Sequence, residues 1–425
     1  MNKIKYFSLV VFTFLSVSSF SQISTNSPYS RFGLGILSNS VSAQQSALGG
    51  SSVVYFNPNS INSENPATYS SFKPKSFLFS TALSSFANRF LTNENSQKEN
   101  NTTFSHVLIG FPVNKYISFS SGLLPFSSVG YHLDYSETED WLEDTISISS
   151  TGNGGISKYY VGTSLKLHKT ISVGINASYL FGGLSRNKTA NFNNPSIFNV
   201  SSVNRTNITG VSYEAGLLFN TEIAKDKYVS LAATYLNNSN LNAKRTLLGT
   251  TYDLTGSSLI IKDTFQNIVQ NGTIVLPSKL SVGLSYSSDK WLFLANYSTQ
   301  NWSDYQLKFD DIIEEDNLKN SVYYSSGMQY TPDYNSHTKY WKKINYRIGG
   351  RYNKTYLNLR DNQLIEKSLT FGLGMPVKRT NTFYNISMEI GEKGTIESNL
   401  IKEQFVRFTF GVTFKGIWFV KRKYD

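Results

Sequence analysis

At 425 residues the chain has room for two or three soluble domains, but it is 14% aromatic and only 16% charged, with a mean hydropathy of -0.27. That mixture arises when alternate residues of long strands face lipid and water. The net charge of +11 is scattered through turns and Lys421-Arg422-Lys423 and forms no stripe for nucleic acid, and the absence of cysteine excludes disulfides, lipoprotein anchoring and thiolate metal sites.

Lys3 and Lys5 precede an apolar run over 6–17 and then Ser19-Phe20-Ser21, with small residues at the two positions a signal peptidase reads, which predicts a removed secretory signal over 1–21. The run is too short to span a bilayer. Residues 22–75 are rich in Ser, Asn, Gly and Pro without sustained alternation and read as an irregular N-terminal segment. From Ser76 onward about fourteen segments with a two-residue period follow. They lie near 76–90, 102–113, 117–137, 154–167, 171–186, 208–221, 228–240, 277–288, 291–307, 320–330, 341–356, 364–376, 382–392 and 403–414.

In the last of these, Val406, Phe408, Phe410, Val412 and Phe414 fall on one side, and Phe405, Arg407, Thr409, Gly411 and Thr413 on the other. In the fifth, Ile171, Val173, Ile175, Ala177, Tyr179 and Phe181 oppose Ser172, Gly174, Asn176 and Ser178. Lipid cannot satisfy backbone groups, so such strands must close their ladder on themselves. The expected fold is all-β: a transmembrane antiparallel β-barrel of about 14 strands over 76–414, with a periplasmic C-terminal tail over 415–425. Short links at 114–116, 168–170, 287–290 and 378–381 alternate with long polar ones near 138–153, 187–207, 241–276 and 391–402, as periplasmic turns alternate with outer loops. The expected location is the outer membrane of a Gram-negative bacterium.

Several residues are candidates for a function. In Asn65-Pro66-Ala67 the proline fixes its own φ and biases Asn65 toward extended backbone, while the asparagine side chain can bond a nearby backbone group, which makes a rigid turn. Gly122 and Pro125 interrupt the third segment, which should bulge or bend there, or else turn. Inward-facing Arg347, Arg351 and Arg407 could clamp a carboxylate head group, although such arginines more often pair with lumen acids such as Glu389 or Glu214 and fill the barrel. His106, His132, His168 and His337 share no ligand spacing, so no metal is implied. The acidic clusters at Glu137, Glu139, Asp140, Glu143 and Asp144, and at Asp310, Asp311, Glu314, Glu315 and Asp316, lack a calcium-loop spacing and read as solvated outer loops. No nucleophile elbow, phosphate loop or paired catalytic set is present, so neither an enzyme nor a cofactor is indicated.

The stretch Ser46-Ala47-Leu48-Gly49-Gly50, followed by Asn65-Pro66-Ala67, resembles the hatch of the FadL/TodX family of outer-membrane transporters for hydrophobic compounds. Leu124-Pro125-Phe126, Tyr179-Leu180-Phe181-Gly182, Leu276-Pro277 and Asn301-Trp302-Ser303 extend the likeness along the chain. The opening Ser27-Pro28-Tyr29-Ser30-Arg31-Phe32-Gly33-Leu34-Gly35 and the ending Trp418-Phe419-Val420-Lys421-Arg422-Lys423 are similar to the Bacteroidetes-type variant of the family. The resemblance implies a hatch over 22–75 that includes Ser46, Gly49, Gly50, Asn65, Pro66 and Ala67. It also implies a third-strand kink at Gly122 and Pro125, with Pro125, Phe126 and Gly130 bordering a lateral exit.

The expected function is passive uptake of hydrophobic or amphipathic, fatty-acid-like small molecules, with outer-membrane lipid as surroundings and no nucleic-acid partner. The long polar outer loops and a longer polar segment before the first strand depart from the best-known members. They keep an alternative open: a non-transporting adaptor or structural barrel, PorV-like, that binds other outer-membrane proteins in an export or surface-assembly complex.

Overall fold

The two-residue parity set at Ser76 is kept around one closed sheet. The computed structural model describes residues 25–38, 41–139, 144–194, 196–255, 258–310, 312–314, 318–336, 338–378, 380 and 382–417. The expected signal over 1–21, tail residues 418–425, His337 and the acidic residues Asp140, Glu143, Asp311, Glu315 and Asp316 lie outside the described residues.

Fourteen wall strands form the barrel: β1 Ser76–Leu91, β2 Ser96–Pro112, β3 Ile117–Glu139, β4 Asp144–Lys166, β5 Ile171–Phe192, β6 Asn199–Ala224, β7 Lys227–Leu236, β8 Lys279–Ser287, β9 Trp291–Gln300, β10 Ser321–Tyr330, β11 Asn345–Leu359, β12 Asn362–Pro376, β13 Phe383–Lys393 and β14 Lys402–Ile417. Each pairs antiparallel with the next, and β14 returns to β1 from Lys402↔Leu91 to Ile417↔Ser76. Closure leaves few backbone edges unpaired, the exception being part of the seam between β2 and β3. Parity follows the sequence pattern: Ile175 and Tyr179 are 50% and 46% exposed on the lipid side, while Asn176 and Ser178 face inward at 1% and 4%.

The wall is much taller on one side. β3 to β6 contain 23, 23, 22 and 26 residues, whereas β7 to β10 contain 10, 9, 10 and 10. Beyond Phe181 the outward residues of β5 become Gly183, Ser185, Asn187 and Thr189, so the ladder continues out of the bilayer into water. A hairpin of Ser239–Thr255 and Ser258–Leu276 pairs with the outer half of β6, from Asn199↔Tyr252 to Thr209↔Asn242. The stretches read as polar loops near 138–153, 187–207 and 241–276 are therefore largely strand. Outside the bilayer the apolar alternation is no longer enforced although the hydrogen-bonded pairing continues.

Tyr29 and Leu34 from the N-terminal segment join Leu184, Leu241, Ile274, Trp302, Phe309 and Tyr356 in an apolar core at the outer end. There the rings of Trp302 and Tyr356 stack with centroids 4.3 Å apart. Two smaller cores lie deeper, one around Leu48, Val54, Tyr55 and Ala67, the other around Ile61, Tyr69, Phe72 and Tyr160.

Candidate functional site

Local sequence shapes the N-terminal segment before the wall receives it. Ser42 caps the short helix Ala43–Ser46 in a capping box with Gln45. The chain then turns through Gly49 and Gly50, both left-handed at φ +70° and +78°. Thr370 on β12 accepts from the Gly49 N–H at 2.9 Å and donates to the Ala47 carbonyl at 3.1 Å, while the Tyr323 hydroxyl donates to the Gly49 carbonyl at 2.9 Å. Farther along, Asn65 is extended and caps the 3-10 turn Pro66–Ser71. Its Oδ1 accepts from the Ala67 N–H at 3.0 Å, and its Nδ2 donates to the Val53 carbonyl at 2.7 Å.

Inward-facing glycines seat this segment. Ala43 lies over Gly411 of β14, Ala47 over Gly372 of β12, Leu48 and Gly49 over Gly349 of β11, and Leu48 also over Gly327 of β10. Val54 then lies over Gly283 of β8, Asn65 and Pro66 over Gly216 of β6, Pro66 and Ala67 over Gly174 of β5, Tyr69 over Gly162 of β4 and Phe72 over Gly110 of β2. A Cβ at any of the nine would come within 2.2 to 3.0 Å of the segment. Chain order from Ala43 to Phe72 thus follows wall order from β14 down to β2, one circuit around the lumen. Of the residues read as a hatch, Ser46, Asn65, Pro66 and Ala67 are buried, as are Gly49 and Gly50.

One seam of the wall is unzipped. β2 and β3 pair only from Pro112↔Ser118 to Val107↔Leu123. Toward the outer end Ser96–His106 pair only with β1, and β3 from Leu124 onward pairs only with β4 on its wall side. β3 runs through Gly122 and Pro125 without a turn and carries a bulge between Pro125 and Ser127. A Cβ on Gly122 would meet the Leu108 side chain at 2.4 Å, a contact within the part that stays zipped.

The free edge of β3 is occupied by the N-terminal segment. Ile36 and Leu37 pair with Ser128 and Ser127, the Ser38 N–H donates to the Phe126 carbonyl at 2.9 Å, and Ser30 bonds Gly130. Gly35, at φ +89°, permits the close approach, since a Cβ there would lie 2.5 Å from the Ser128 carbonyl.

Cavities lie on both sides of this strap. A space of about 130 Å³ at the seam is lined by Phe86, Phe104, Pro125 and Ser128, and one of about 210 Å³ in the lumen by Glu64, Lys158, Glu214 and Lys279. Ile36, Leu37, Ser38 and Val41 border both.

The lumen is charged and largely compensated. Glu64 faces Lys279 at 3.5 Å. Burial pushes the Glu64 carboxyl up, but Lys279 and Lys158 outweigh it and hold the group below the usual carboxylate range. Arg351 pairs with Glu366 and, at 2.6 Å, with Glu389, which also meets Arg407 at 3.3 Å. Arg347 donates to Gln329 at 2.8 Å and Asn385 at 3.0 Å. All three guanidinium groups are therefore already engaged by wall residues; Arg407 also lines the seam cavity beside the strap, whereas Arg347 and Arg351 line neither cavity.

Sequence reading missed Ser30 and Ile36–Ser38, because two paired residues are too few to show a period. It also passed over the glycine circuit, although a glycine at inward parity in strand after strand was a visible signal.

The fold is that of the FadL/TodX transporters. The toluene transporter TodX of Pseudomonas putida superposes with a TM-score of 0.58 at 16% identity, covering 89% of this chain and 98% of its own. The Ralstonia pickettii toluene transporter TbuX gives 0.59 at 14%, covering 88% and 97%, and a Pseudomonas aeruginosa FadL homologue gives 0.57 at 11%, covering 88% and 96%. No curated protein matches the chain. A closed barrel of this kind places the protein in the outer membrane of a Gram-negative bacterium. The BamG family model matches residues 3–425, and the chain belongs to the BamG family.

Proposed function

We propose that the protein is an outer-membrane channel for passive uptake of hydrophobic or amphipathic, fatty-acid-like molecules, which leave sideways through the seam between β2 and β3. Residues 22–75 act as the hatch, and Ile36–Ser38 as a latch on the third strand. The observation that carries this reading is the unzipped seam, backed by a cavity and bridged by the N-terminal strap. Named relatives in fold are toluene transporters, which supports an apolar cargo. Capture would draw on burial of apolar area, about 25 cal/mol per Å².

Pro125 cannot donate to a neighbouring strand, so it keeps the edge from rezipping, while Phe126 and Gly130 hold the strap. The latch rests on a few hydrogen bonds of about 1 kcal/mol net each, so a ligand that prefers the open seam by about 3 kcal/mol would shift it. Arg347, Arg351 and Arg407 serve as internal struts.

The test uses a chain without cysteine: Leu37→Cys with Ser127→Cys, residues paired in the ladder. Oxidation should stop entry of a fluorescent fatty acid into proteoliposomes, and reduction should restore it. Equal uptake in both states would rule out the latch.

A second reading, a non-transporting adaptor for other outer-membrane proteins, is favoured by the apolar core over the outer end and the charged lumen beneath it. Leu259, Ile261 and Phe265 on the outer hairpin are 58%, 60% and 56% exposed, which suits a protein partner. Crosslinking in intact cells that trapped the hairpin on another protein, together with uptake unchanged by the disulfide, would favour it over transport.

A further inference from the structure

The outward face of the wall carries a polar row that runs along the ladder. Successive ladder partners are Lys98 of β2, Arg89 of β1, Gln404 of β14, Glu392 of β13, Lys367 of β12 and Tyr352 of β11. The next outward row toward the periplasm is Asn100, Ala87, Val406, Ile390, Leu369 and Gly350. Between Phe77 and Arg89 the tilted strand climbs about 30 Å, slightly more than an apolar band of about 25 Å. Arg89 therefore stands at the outer headgroup level; ladder partners of tilted strands differ in height, so the row slopes down from it toward Lys367 and Tyr352, and Val406, Ile390 and Leu369 beneath it lie in acyl chains.

An open groove of about 1030 Å³ is lined by residues of both rows, with Ala87 and Gly350, which project little or no side chain outward, toward its two ends. Its charge is unbalanced. Glu392 is taken by Lys402 at 2.7 Å, and Arg89, Lys98 and Lys367 are exposed without a salt-bridged carboxylate among the described residues. Lys367 Nζ stands 5.9 Å over the Tyr352 ring, which holds it at the edge of the groove.

We propose that this groove binds an acylated outer-leaflet lipid with a phosphate-bearing headgroup, whether or not the lumen conducts. Phosphate oxygens meet Arg89 and Lys98 on paired strands, with the arginine fork matched to two oxygens, Lys367 engages the headgroup farther along the row, and the acyl chains run over Val406, Ile390 and Leu369. A cationic rim over an apolar floor complements a lipid, whereas a free anion would use the rim alone.

The experiment is native mass spectrometry of the full chain from phosphatidylcholine nanodiscs doped with diphosphoryl lipid A. The triple variant Arg89→Gln/Lys98→Gln/Lys367→Gln should bind on the order of a hundredfold more weakly. The control Lys188→Gln/Arg205→Gln/Lys244→Gln, on the outer extension, should bind as the unmodified chain does. Ala87→Phe, which places a ring in the groove and keeps every charge, should also weaken binding and serves if the triple variant fails to fold. Undiminished binding in a folded triple variant or in Ala87→Phe, equal binding of dephosphorylated lipid A, or displacement by millimolar inorganic phosphate would each overturn the proposal.

Discussion

The Ser30 hydroxyl satisfies both backbone groups of Gly130, donating to its carbonyl and accepting from its N–H, each at 3.0 Å. Gly130 lies on the edge of β3 that has no wall neighbour, so one side chain replaces a strand there. Ser30→Ala would leave a donor and an acceptor unpaired at a local cost of about 2 kcal/mol. The Gly130 amide should then exchange with deuterium about thirtyfold faster, with the melting of the barrel unchanged because the wall ladder is intact. Ser30→Thr should retain protection, and exchange unaltered in the alanine variant would show that Ser30 does not hold this edge.

Gly349 and Gly350 are neighbours with opposite duties. A Cβ on Gly349 would meet the Gly49 nitrogen at 2.3 Å and the Leu48 carbonyl carbon at 2.4 Å, backbone atoms that have nowhere to go. On Gly350 the nearest atom is Leu369 Cδ2 at 3.4 Å, a side-chain end that can yield. Gly349→Ala should unseat the N-terminal segment, seen as new protease cleavage between residues 41 and 72, while the wall keeps its resistance to unfolding by detergent. Gly350→Ala should leave the cleavage pattern as it was; equal patterns for the two variants would refute the seating role of the circuit.

Asn65 supports the segment by two independent bonds, as acceptor for Ala67 and donor to Val53. Asn65→Asp keeps the acceptor and loses the donor, and Asn65→Ala loses both. Protease protection of the segment should fall in that order, with the alanine variant about 2 to 3 kcal/mol less protected. If aspartate and alanine behaved alike, the cap would contribute nothing.

The wall was legible because lipid enforces a period of two: all fourteen alternating segments became β1 to β14. Beyond the bilayer the constraint lapses, so the outer parts of β4 to β6 and the hairpin of Ser239–Thr255 and Ser258–Leu276 carry apolar residues without a sustained two-residue period, although they are strands. Asn65-Pro66-Ala67 could be read as a rigid turn because its bonds are local. The pairing of Ile36 with Ser128, of Ser30 with Gly130 and of Arg351 with Glu389 joins distant parts of the chain, and such choices depend on the closed barrel. Gly122 and Pro125 marked the right strand, but the partner that replaces β2 beyond Leu123 has no sequence signature.

Acidity should loosen the segment through Glu64. Folding beside Lys279 lowers its proton affinity, so the unfolded segment takes up the proton first as pH drops. The stabilisation is present above the ordinary carboxyl value of 4.5 and is lost as pH falls below it through the lower folded value. Cleavage of the segment by an acid-tolerant protease should therefore rise below that pH in the unmodified chain. Glu64→Gln, which has no proton to gain, should show this step removed, and Lys279→Met, which takes away the stronger of the two charges that oppose burial, should also shrink or abolish it. A step that persisted unchanged in Glu64→Gln would assign the acid sensitivity to another group.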